Sequence, residues 1–413
     1  EAPAYVEGLI AFYNEQPALA LQKAEEALRQ APWLPEPKKL MADVHYAKGF
    51  ALRHEGKYAE SRKELKSAVA LYQEAEAISR SDADIYVAEA EALAQIVTVD
   101  VDDGTNASDD FSNVKNATAK ILQSSHDQVK SLHLESIAAV KYGETQFAAG
   151  KLAASFFDYS IALMTKAIES EPGNCEFYET IGSAYLMKYY HGLESGDNDE
   201  LCFASANKNL TKSISCNPNF AWAYNDLAVL HQQRGRIRSL IGEDSSADFA
   251  KSTEMLRRVL ELIPKEVHGY VNYIQTQKYR ISAGVVSELS LESVLADVGK
   301  IVKLSEANGV DNSMFRGNLA ALNLAMLGMQ ELYSADYYRY YDEILKQSLL
   351  SLKLNSSNYE TYQVLAEAHL LMAEAEVARG AGDSVVAAGA QIDEGLVAAQ
   401  KAISLKADDA RSH

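Results

Sequence analysis

The sequence predicts an all-α fold, an α-α superhelix of about nine helical hairpins that repeat every 46 residues. Helix-favouring residues dominate the composition, and no segment alternates between polar and apolar positions as a strand does. Three turn-forming prolines are spaced 46 residues apart: Pro172, Pro218 and Pro264. A tyrosine stands six residues after each of them: Tyr178, Tyr224 and Tyr270. A fixed period of this kind is typical of stacked hairpins, each of which buries its apolar face against the next.

The same spacing extends along the chain in both directions. Steps of 46 residues from the three prolines reach four further positions, and all seven positions are called marks below. The further marks fall in short polar or glycine-containing stretches, at Arg80, His126, Val310 and Ser356. The positions six residues after the marks are mostly tyrosine: Tyr86, Leu132, Tyr178, Tyr224, Tyr270, Arg316 and Tyr362. The positions ten residues after the marks are mostly small: Ala90, Ser136, Gly182, Ala228, Ile274, Ala320 and Ala366. We interpret the tyrosines as packing residues at the joints and the small residues as close helix contacts, within one continuous domain covering residues 1–413.

The composition limits the classes of partner. Lys+Arg 39 and Asp+Glu 58 give a formal net charge of −19, and such a chain repels phosphate backbones and anionic lipids. We therefore expect a protein or peptide partner, no nucleic acid and no direct membrane insertion. An apolar run from Leu319 is far shorter than the roughly 18 residues of a spanning helix. We expect a soluble protein, cytoplasmic in preference to periplasmic or membrane-tethered, whose N-terminus at Glu1 has been trimmed.

No catalytic or metal-binding signature accompanies the repeats. Glycine-rich phosphate loops, G-x-S-x-G, H-E-x-x-H and kinase motifs are missing, so we predict no enzymatic activity and no cofactor. The segment VDVDDGTNASDD, residues 99–110, lacks the ligand spacing of a calcium loop and is interpreted as a solvated acidic loop. His231 and His369 occupy the same position of the repeat as Tyr185. This position favours histidine rings that are packed inside the protein. The cysteines lack a C-x-x-C pair and are interpreted as core residues, without a disulfide or a zinc site: Cys175, Cys202 and Cys216.

Two further segments are candidates for binding. The run QQRGRIR, residues 232–238, groups three arginines that could dock an acidic peptide or a phosphate, although ion pairing on the helix surface is the favoured interpretation. A second run holds five tyrosines: Tyr333, Tyr337, Tyr338, Tyr340 and Tyr341. Spread over a helix, they point in all directions, so some of them are expected to be exposed and to form an interface.

Nearly the whole chain resembles a known family. The segments YETIGSAY from Tyr178 and YNDLAVLH from Tyr224 are similar to the first helix of a tetratricopeptide repeat. The family's second-helix pattern of small, large, small and proline recurs at Ala206, Leu210, Ser213 and Pro218. A repeat of that family has about 34 residues, whereas the period here is 46 residues. The extra residues fall within the hairpin, between its two helices, and we expect them to form partly a loop and partly added turns that lengthen both helices.

The resemblance also implies where a partner binds, because the first helices of tetratricopeptide repeats line a concave groove. The implied groove positions are Glu176, Glu179 and Ser183; Trp222, Asn225, Val229 and Gln232; His268, Val271, Gln275 and Lys278; and Glu360, Gln363 and Glu367. The paired lysine and asparagine that hold the carboxylate of a chaperone tail in some members are replaced here, so that clamp is absent. We predict that an extended peptide binds around Trp222, and the alternative is that this side chain packs inside the joint beside Tyr224.

The predicted function is a non-enzymatic protein–protein interaction scaffold that binds a peptide or protein segment in the concave groove. The alternative is the sensor or docking region of a bacterial serine/threonine kinase, a signalling protein whose catalytic domain lies outside this chain. That alternative depends on a resemblance of APWLPEPKKLMADVHYAKG and AEAISRSDADIYVAEAEAL to the helical repeats that follow the catalytic domain in some of these kinases.

Overall fold

The computed structural model describes residues 3–124, 128–194, 200–284, 288–330, 334–380 and 382–405. Within these ranges every regular element is an α-helix, and no strand is present. The 18 helices of the described residues form nine consecutive hairpins, so the predicted fold class and number of hairpins are confirmed. None of these helices is long and apolar enough to cross a membrane.

The chain divides into two compact units, Glu1–Asp226 and Leu227–His413. The first unit contains α1 (Pro3–Tyr13), α2 (Pro17–Gln30), α3 (Glu36–His54), α4 (Tyr58–Ile78), α5 (Ala83–Asp102), α6 (Ser108–Ser124), α7 (Gln128–Ala148), α8 (Ala154–Ser170), α9 (Cys175–Glu194) and α10 (Glu200–Cys216). The boundary lies within α11 (Ala221–Leu240). The second unit continues with α12 (Ser246–Leu262), α13 (Val267–Ser282), α14 (Glu288–Ala307), α15 (Ser313–Leu327), α16 (Ala335–Leu354), α17 (Tyr359–Arg379) and α18 (Gly382–Leu405). One continuous domain over residues 1–413 stays a prediction.

Within each unit, the two helices of a hairpin pack against each other, and the hairpins are joined through their first helices. In the first unit α3 packs against α4, α7 against α8 and α9 against α10, while α1, α3, α5, α7 and α9 contact one another in that order. In the second unit α15 packs against α16 and α17 against α18, and α15 contacts both α13 and α17. The first helices therefore form a row in each unit, as stacked hairpins require.

The marks spaced 46 residues apart fall at the turns between hairpins. Six of the seven lie between a second helix and the next first helix, and His126 lies outside the described residues. Each tyrosine that stands six residues after a mark donates a hydrogen bond from its hydroxyl to the backbone carbonyl of the mark. The pairs are Tyr86 to Arg80 (3.0 Å), Tyr178 to Pro172 (2.9 Å), Tyr224 to Pro218 (3.2 Å), Tyr270 to Pro264 (2.7 Å) and Tyr362 to Ser356 (3.4 Å). These buried or half-buried tyrosines pack at the joints, and the hydrogen bond explains why the interval of six residues recurs.

The small residues found ten positions after the marks lie where helices cross closely. Six of its seven members are buried, and Ala366 is half-buried. At Gly182 of α9, an added Cβ would lie 2.7 Å from the Cγ of Leu210 in α10, closer than Cβ atoms approach in folded proteins. Likewise, a Cβ added at Gly49 of α3 would lie 2.8 Å from the Cγ of Leu65 in α4. A larger side chain at these positions would force the two helices of the hairpin apart.

The extra residues of the long repeat lengthen the helices, as predicted. Helices α9 and α10 have 20 and 17 residues, and α11 and α12 have the same two lengths. Residues 241–245 join α11 to α12, and Gly242 has a φ of +78°, a left-handed conformation that glycine adopts without steric cost. The corresponding residues 195–199 lie outside the described part of the chain.

The interpretation of the cysteines is wrong for two of the three. Cys175 and Cys216 form a disulfide, with Cα atoms 5.6 Å apart, whereas Cys202 is free and buried. Cys175 begins α9 and Cys216 ends α10, so the antiparallel pairing of these helices brings both cysteines to the same end of the hairpin. Ser213 donates a hydrogen bond to the Cys175 carbonyl at 2.8 Å and reinforces the closure. The pairing depends on the hairpin and leaves no signal in the local sequence.

Candidate functional site

The second unit contains a cavity of about 1080 Å³ that is lined by four helices. Helix α15 forms its floor, between a wall from α13 and a wall from α17 and α18. The cavity follows α15 from Met314 to the end of the helix at Leu327, a distance of about 20 Å at 1.5 Å per residue, and Met329 lines it just beyond the helix. It is therefore elongated along the axis of α15.

The surface of the cavity is predominantly apolar. Four of its large apolar side chains remain about half exposed: Met329 (46%), Leu370 (53%), Ile392 (45%) and Leu396 (54%). Single exposed apolar side chains are common, but a contiguous group in a concave surface is a mark of a binding site. This surface is the strongest candidate site in the second unit.

The sequence analysis missed this apolar surface, although α18 carries a signal for it. The residues Ala388, Ile392, Leu396, Ala399 and Ala402 recur at intervals of three or four along α18 and therefore share one face of the helix. The last four of them line the cavity. This apolar stripe includes two large side chains, Ile392 and Leu396, that remain about half exposed, and it is the signal for the cavity surface.

The two walls of the cavity carry different charges. On α13, the Lys278 ammonium lies 4.8 Å from the centre of the Tyr279 ring, and Gln275 donates a hydrogen bond to the Tyr279 hydroxyl at 3.4 Å. On α17, Glu360 and Glu367 are exposed at the cavity surface. The Tyr359 hydroxyl donates to the Glu360 carboxylate at 3.3 Å, whereas no hydrogen-bond or ion-pair partner of Glu367 occurs among the described residues.

Several predicted groove residues line this cavity: Gln275, Lys278, Glu360, Gln363 and Glu367. His268 lies on α13 outside the cavity lining, with its Nδ1 at 2.5 Å from Glu266 Oε1. Val229, on α11, is half-buried. The positions of these residues on first helices agree with the sequence analysis, and their part in binding stays a prediction.

Gln232 is a structural residue, which corrects its assignment to the groove. Its side chain is only 1% exposed. The amide donates hydrogen bonds to the Asn272 carbonyl at 3.1 Å and to the Thr276 hydroxyl at 2.8 Å. Because a buried amide must satisfy its hydrogen bonds inside the protein, Gln232 fastens α11 to α13 and cannot reach a ligand.

In the first unit, the side chain of Trp222 already has an aromatic neighbour. Its ring centre lies 6.0 Å from that of His54, which ends α3. The His54 ring in turn contacts Phe50 at 4.5 Å, so aromatic rings continue along α3. Asn225 is buried and donates a hydrogen bond to Asp226 Oδ1 at 3.3 Å. The contact with α3 joins distant parts of the sequence, and no local pattern predicts it.

Glu179 belongs to a cluster of charged groups on α7, α9 and α11. Lys141 pairs with Glu144 at 2.8 Å, and the charges of Lys141 and Asp226 both act on Glu179. Burial, reinforced by the negative charge of Asp226, raises the pKa of Glu179 to about 8. Burial raises the pKa of Asp226 as well. Glu176, the other predicted residue of α9, is exposed. Three carboxyl groups around one lysine make this part of the first unit acidic and sensitive to pH.

One residue of the arginine run, Arg238, forms internal ion pairs, as the favoured interpretation predicted for the run. Arg238 pairs with Glu243 and with Asp248, both at 3.2 Å. The His231 ring lies in the same network, with its Nδ1 at 2.7 Å from Asp248 Oδ1. His369 is also a packed ring, as predicted, and its Nδ1 lies 2.7 Å from Gln391 Oε1.

The expectation that the tyrosine run forms an exposed interface is wrong. Tyr337, Tyr340 and Tyr341 are buried, and Tyr338 is half-buried. Positions three and four residues apart share one face of a helix, so α16 turns these rings towards its neighbours. The Tyr337 hydroxyl donates a hydrogen bond to the Leu371 carbonyl at 2.9 Å. Tyr333 lies outside the described residues.

The acidic segment 99–110 is only partly a solvated loop. Helix α5 extends to Asp102, so Asp100 lies in its last turn, where it is fully buried and ion-paired with Arg62. Burial raises the pKa of Asp100 to about 7, and the neighbouring Asp110 carboxyl reinforces the effect. Asp103 and Asp109 are exposed, as expected of a loop. In the described ranges no group of three or more His, Cys, Asp or Glu residues could hold a metal ion.

Comparison with known protein families gives one match. Residues 209–239 match the sequence profile of the tetratricopeptide repeat. This match covers the end of α10, the turn at Pro218 and most of α11, where Tyr224 closes the turn. Residues 209–239 are therefore similar to a tetratricopeptide repeat. No curated protein matches the sequence.

Several solved structures are similar to the chain at low sequence identity. MamA has 17% identity and a TM-score of 0.32, over 49% of this chain and 92% of MamA. A tetratricopeptide repeat protein from Parabacteroides merdae has 9% identity and a TM-score of 0.40, over 79% of this chain and 98% of that one. YrrB, described as a TPR protein with an unusual peptide-binding site, has 14% identity and a TM-score of 0.29, over 60% and 95% of the two chains. The resemblance to kinase repeats stays a prediction.

Proposed function

We propose that the chain is a non-catalytic protein-interaction scaffold and that the cavity of the second unit binds a segment of a partner protein. The observation that carries the proposal is the half-exposed apolar surface of Met329, Leu370, Ile392 and Leu396. Covering such surface contributes about 25 cal/mol per Å². A tetratricopeptide repeat supports a protein partner, because stacked repeats present extended surfaces that suit protein segments.

The size of the cavity favours a peptide segment over a small ligand. Its volume of about 1080 Å³ slightly exceeds the roughly 300–1,000 Å³ of most small-molecule sites. Its length of about 20 Å corresponds to about six residues of extended chain at about 3.3 Å per residue. An extended segment can therefore lie along α15 and place alternate side chains on the apolar floor.

The predicted residues outside the cavity remain secondary contacts in this proposal. In the first unit these are Glu176, Glu179, Trp222 and Asn225, together with Val229 and His268 in the second. Trp222 and Asn225 already have partners within the first unit, so a peptide would have to compete for them. For that reason the cavity takes precedence over the region around Trp222.

A peptide selection with a matched pair of variants tests the proposal. Random peptides displayed on phage are selected on the full chain, and their affinities are measured by fluorescence anisotropy. Leu370→Asp places a charge on the cavity surface and should weaken binding by at least about tenfold, or about 1.4 kcal/mol. Leu349→Asp is the control, because Leu349 is 71% exposed on α16 and does not line the cavity. The control should bind like the wild type.

Two results would contradict the proposal. The first is a selection that yields no peptide with measurable affinity for the full chain. The second is a set of selected peptides that bind the Leu370→Asp variant as tightly as the wild type. Circular dichroism melts of both variants show that any loss of binding does not come from unfolding.

A further inference from the structure

We infer that the segment bound by this cavity is basic and amphipathic: its apolar side chains cover the floor, and two lysines or arginines pair with Glu360 and Glu367. This inference rests on the proposed binding function and adds the chemistry of the partner. The acidic wall, the apolar floor and the spacing of the two carboxylates each contribute to it.

The carboxylates of α17 are available to a ligand. Glu367 is exposed at the cavity and has no hydrogen-bond or ion-pair partner in the described part of the chain. Glu360 is exposed, and from the described residues it accepts one hydrogen bond, that of the adjacent Tyr359 hydroxyl at 3.3 Å. A basic side chain could form an ion pair with these carboxylates. That ion pair would be stronger beside the apolar surface than in open water, because the surface excludes water.

The opposite wall offers less to an acidic ligand. Among the residues that the structure describes, Lys278 is the only basic one that lines the cavity, and its ammonium already lies 4.8 Å from the Tyr279 ring centre. Two carboxylates against one lysine give the lining a negative balance. The whole chain has the same sign, with a formal net charge of −19, so its field attracts a basic segment and repels an acidic one.

The spacing of the carboxylates defines the arrangement of the basic residues. Glu360 and Glu367 are seven residues apart on α17, close to two helical turns, so they share one face and are separated by about 10 Å along the axis. In an extended segment, side chains on one side recur every second residue, so this distance lies between two residues (about 7 Å) and four residues (about 13 Å). The segment should therefore carry two basic residues two or four positions apart on one side, with leucine-like side chains between and beside them.

Synthetic peptides of about seven residues test this arrangement directly. The first has leucine and alanine with two lysines four positions apart, so that both lysines lie on one side of the extended chain. The second has the same composition with adjacent lysines, and the third has glutamates in place of the lysines of the first. Fluorescence anisotropy with the full chain should rank the first above the second. The glutamate peptide should bind at least about tenfold more weakly than the first. Added salt should weaken the first peptide, because exposed ion pairs are screened.

Charge reversal on α17 provides the matched protein variants. Glu367→Lys should weaken the spaced-lysine peptide and strengthen the glutamate peptide. Glu374→Lys makes the same change of net charge on the same helix, at an exposed residue outside the cavity lining, and should leave the order of the peptides unchanged. Both sites are exposed, so both variants should fold.

The outcomes separate this inference from the function on which it rests. Phage-selected peptides that depend on Leu370 but lack basic residues would support binding in the cavity and overturn the charge inference. Selected peptides that do not depend on Leu370 would overturn both. If none of the three synthetic peptides binds and oleate enters the cavity with sensitivity to Leu370→Asp, the occupant is an acyl chain and the inference is wrong.

Discussion

Removal of the disulfide between Cys175 and Cys216 should destabilise the hairpin of α9 and α10. The bond joins residues with a sequence separation of 41. For a loop of that length, the chain-entropy relation gives a stabilisation of about 4 kcal/mol at 25 °C. This value is an upper limit, because strain in the folded state and residual structure in the unfolded chain both reduce it. The Cys175→Ser/Cys216→Ser variant, or reduction of the wild type, should approach this loss.

The assay should report on the hairpin itself, because stacked repeats unfold in steps that couple mainly to neighbours. Trp222 lies at the start of α11, directly after the hairpin. In a Trp33→Phe background it is the only tryptophan, and its fluorescence can follow unfolding in urea. Reduction should lower the urea midpoint of the wild type to that of the double serine variant and should leave the double variant unchanged.

Thiol titration of the denatured, unreduced chain supplies the refuting result. One reactive thiol, that of Cys202, is expected. Three thiols, together with a urea midpoint that does not respond to reduction, would show that the bond does not form. The same measurement on rapidly alkylated cells bears on location. Disulfides persist in oxidising compartments and are rare in the cytosol, so an oxidised pair would argue against the cytoplasmic location favoured by the sequence.

Other substitutions test the packing and the electrostatics of the first unit. Gly182→Ala should cost about 1–3 kcal/mol by overpacking, whereas Gly173→Ala, with open space around the added methyl group, should leave the urea midpoint nearly unchanged. Tyr178→Phe should lower stability by about 0.5–1.5 kcal/mol, because it removes the hydrogen bond to the turn. The Glu179 pKa rises from 4.5 to about 8 on folding, so stability should fall as the pH rises through this window; Glu179→Gln should show a smaller fall. Trp222→Ala should lower the Tm, and an unchanged Tm would favour the predicted peptide anchor.

The period of the sequence predicted the turns well, because local chemistry determines them. A proline or a polar residue ends the second helix, and a tyrosine six residues later returns its hydroxyl to that turn, as at Pro264 and Tyr270. Every link in this arrangement lies within a few residues. Contacts between distant segments left no such signal. The pairing of Cys175 with Cys216 and the packing of Trp222 on His54 both require knowledge of which helices meet.

The cavity shows how far the repeat can predict a binding surface. Positions 11 residues after the marks at Pro264, Val310 and Ser356 hold Gln275, Ala321 and Glu367, and all three line the cavity. Positions 14 residues after the same marks hold Lys278, Leu324 and Leu370, and these line it too. The intervals 11 and 14 fall on one face of a helix, so equivalent residues of successive first helices must face the same space. The repeat therefore predicts which positions line the cavity, while the residue at each position determines its chemistry: amide and ammonium groups on α13, apolar groups on α15, carboxylates on α17. The repeat does not predict the contribution of α18. Ile392 and Leu396 lie on the second helix of a hairpin, whereas the predicted groove positions all lie on first helices.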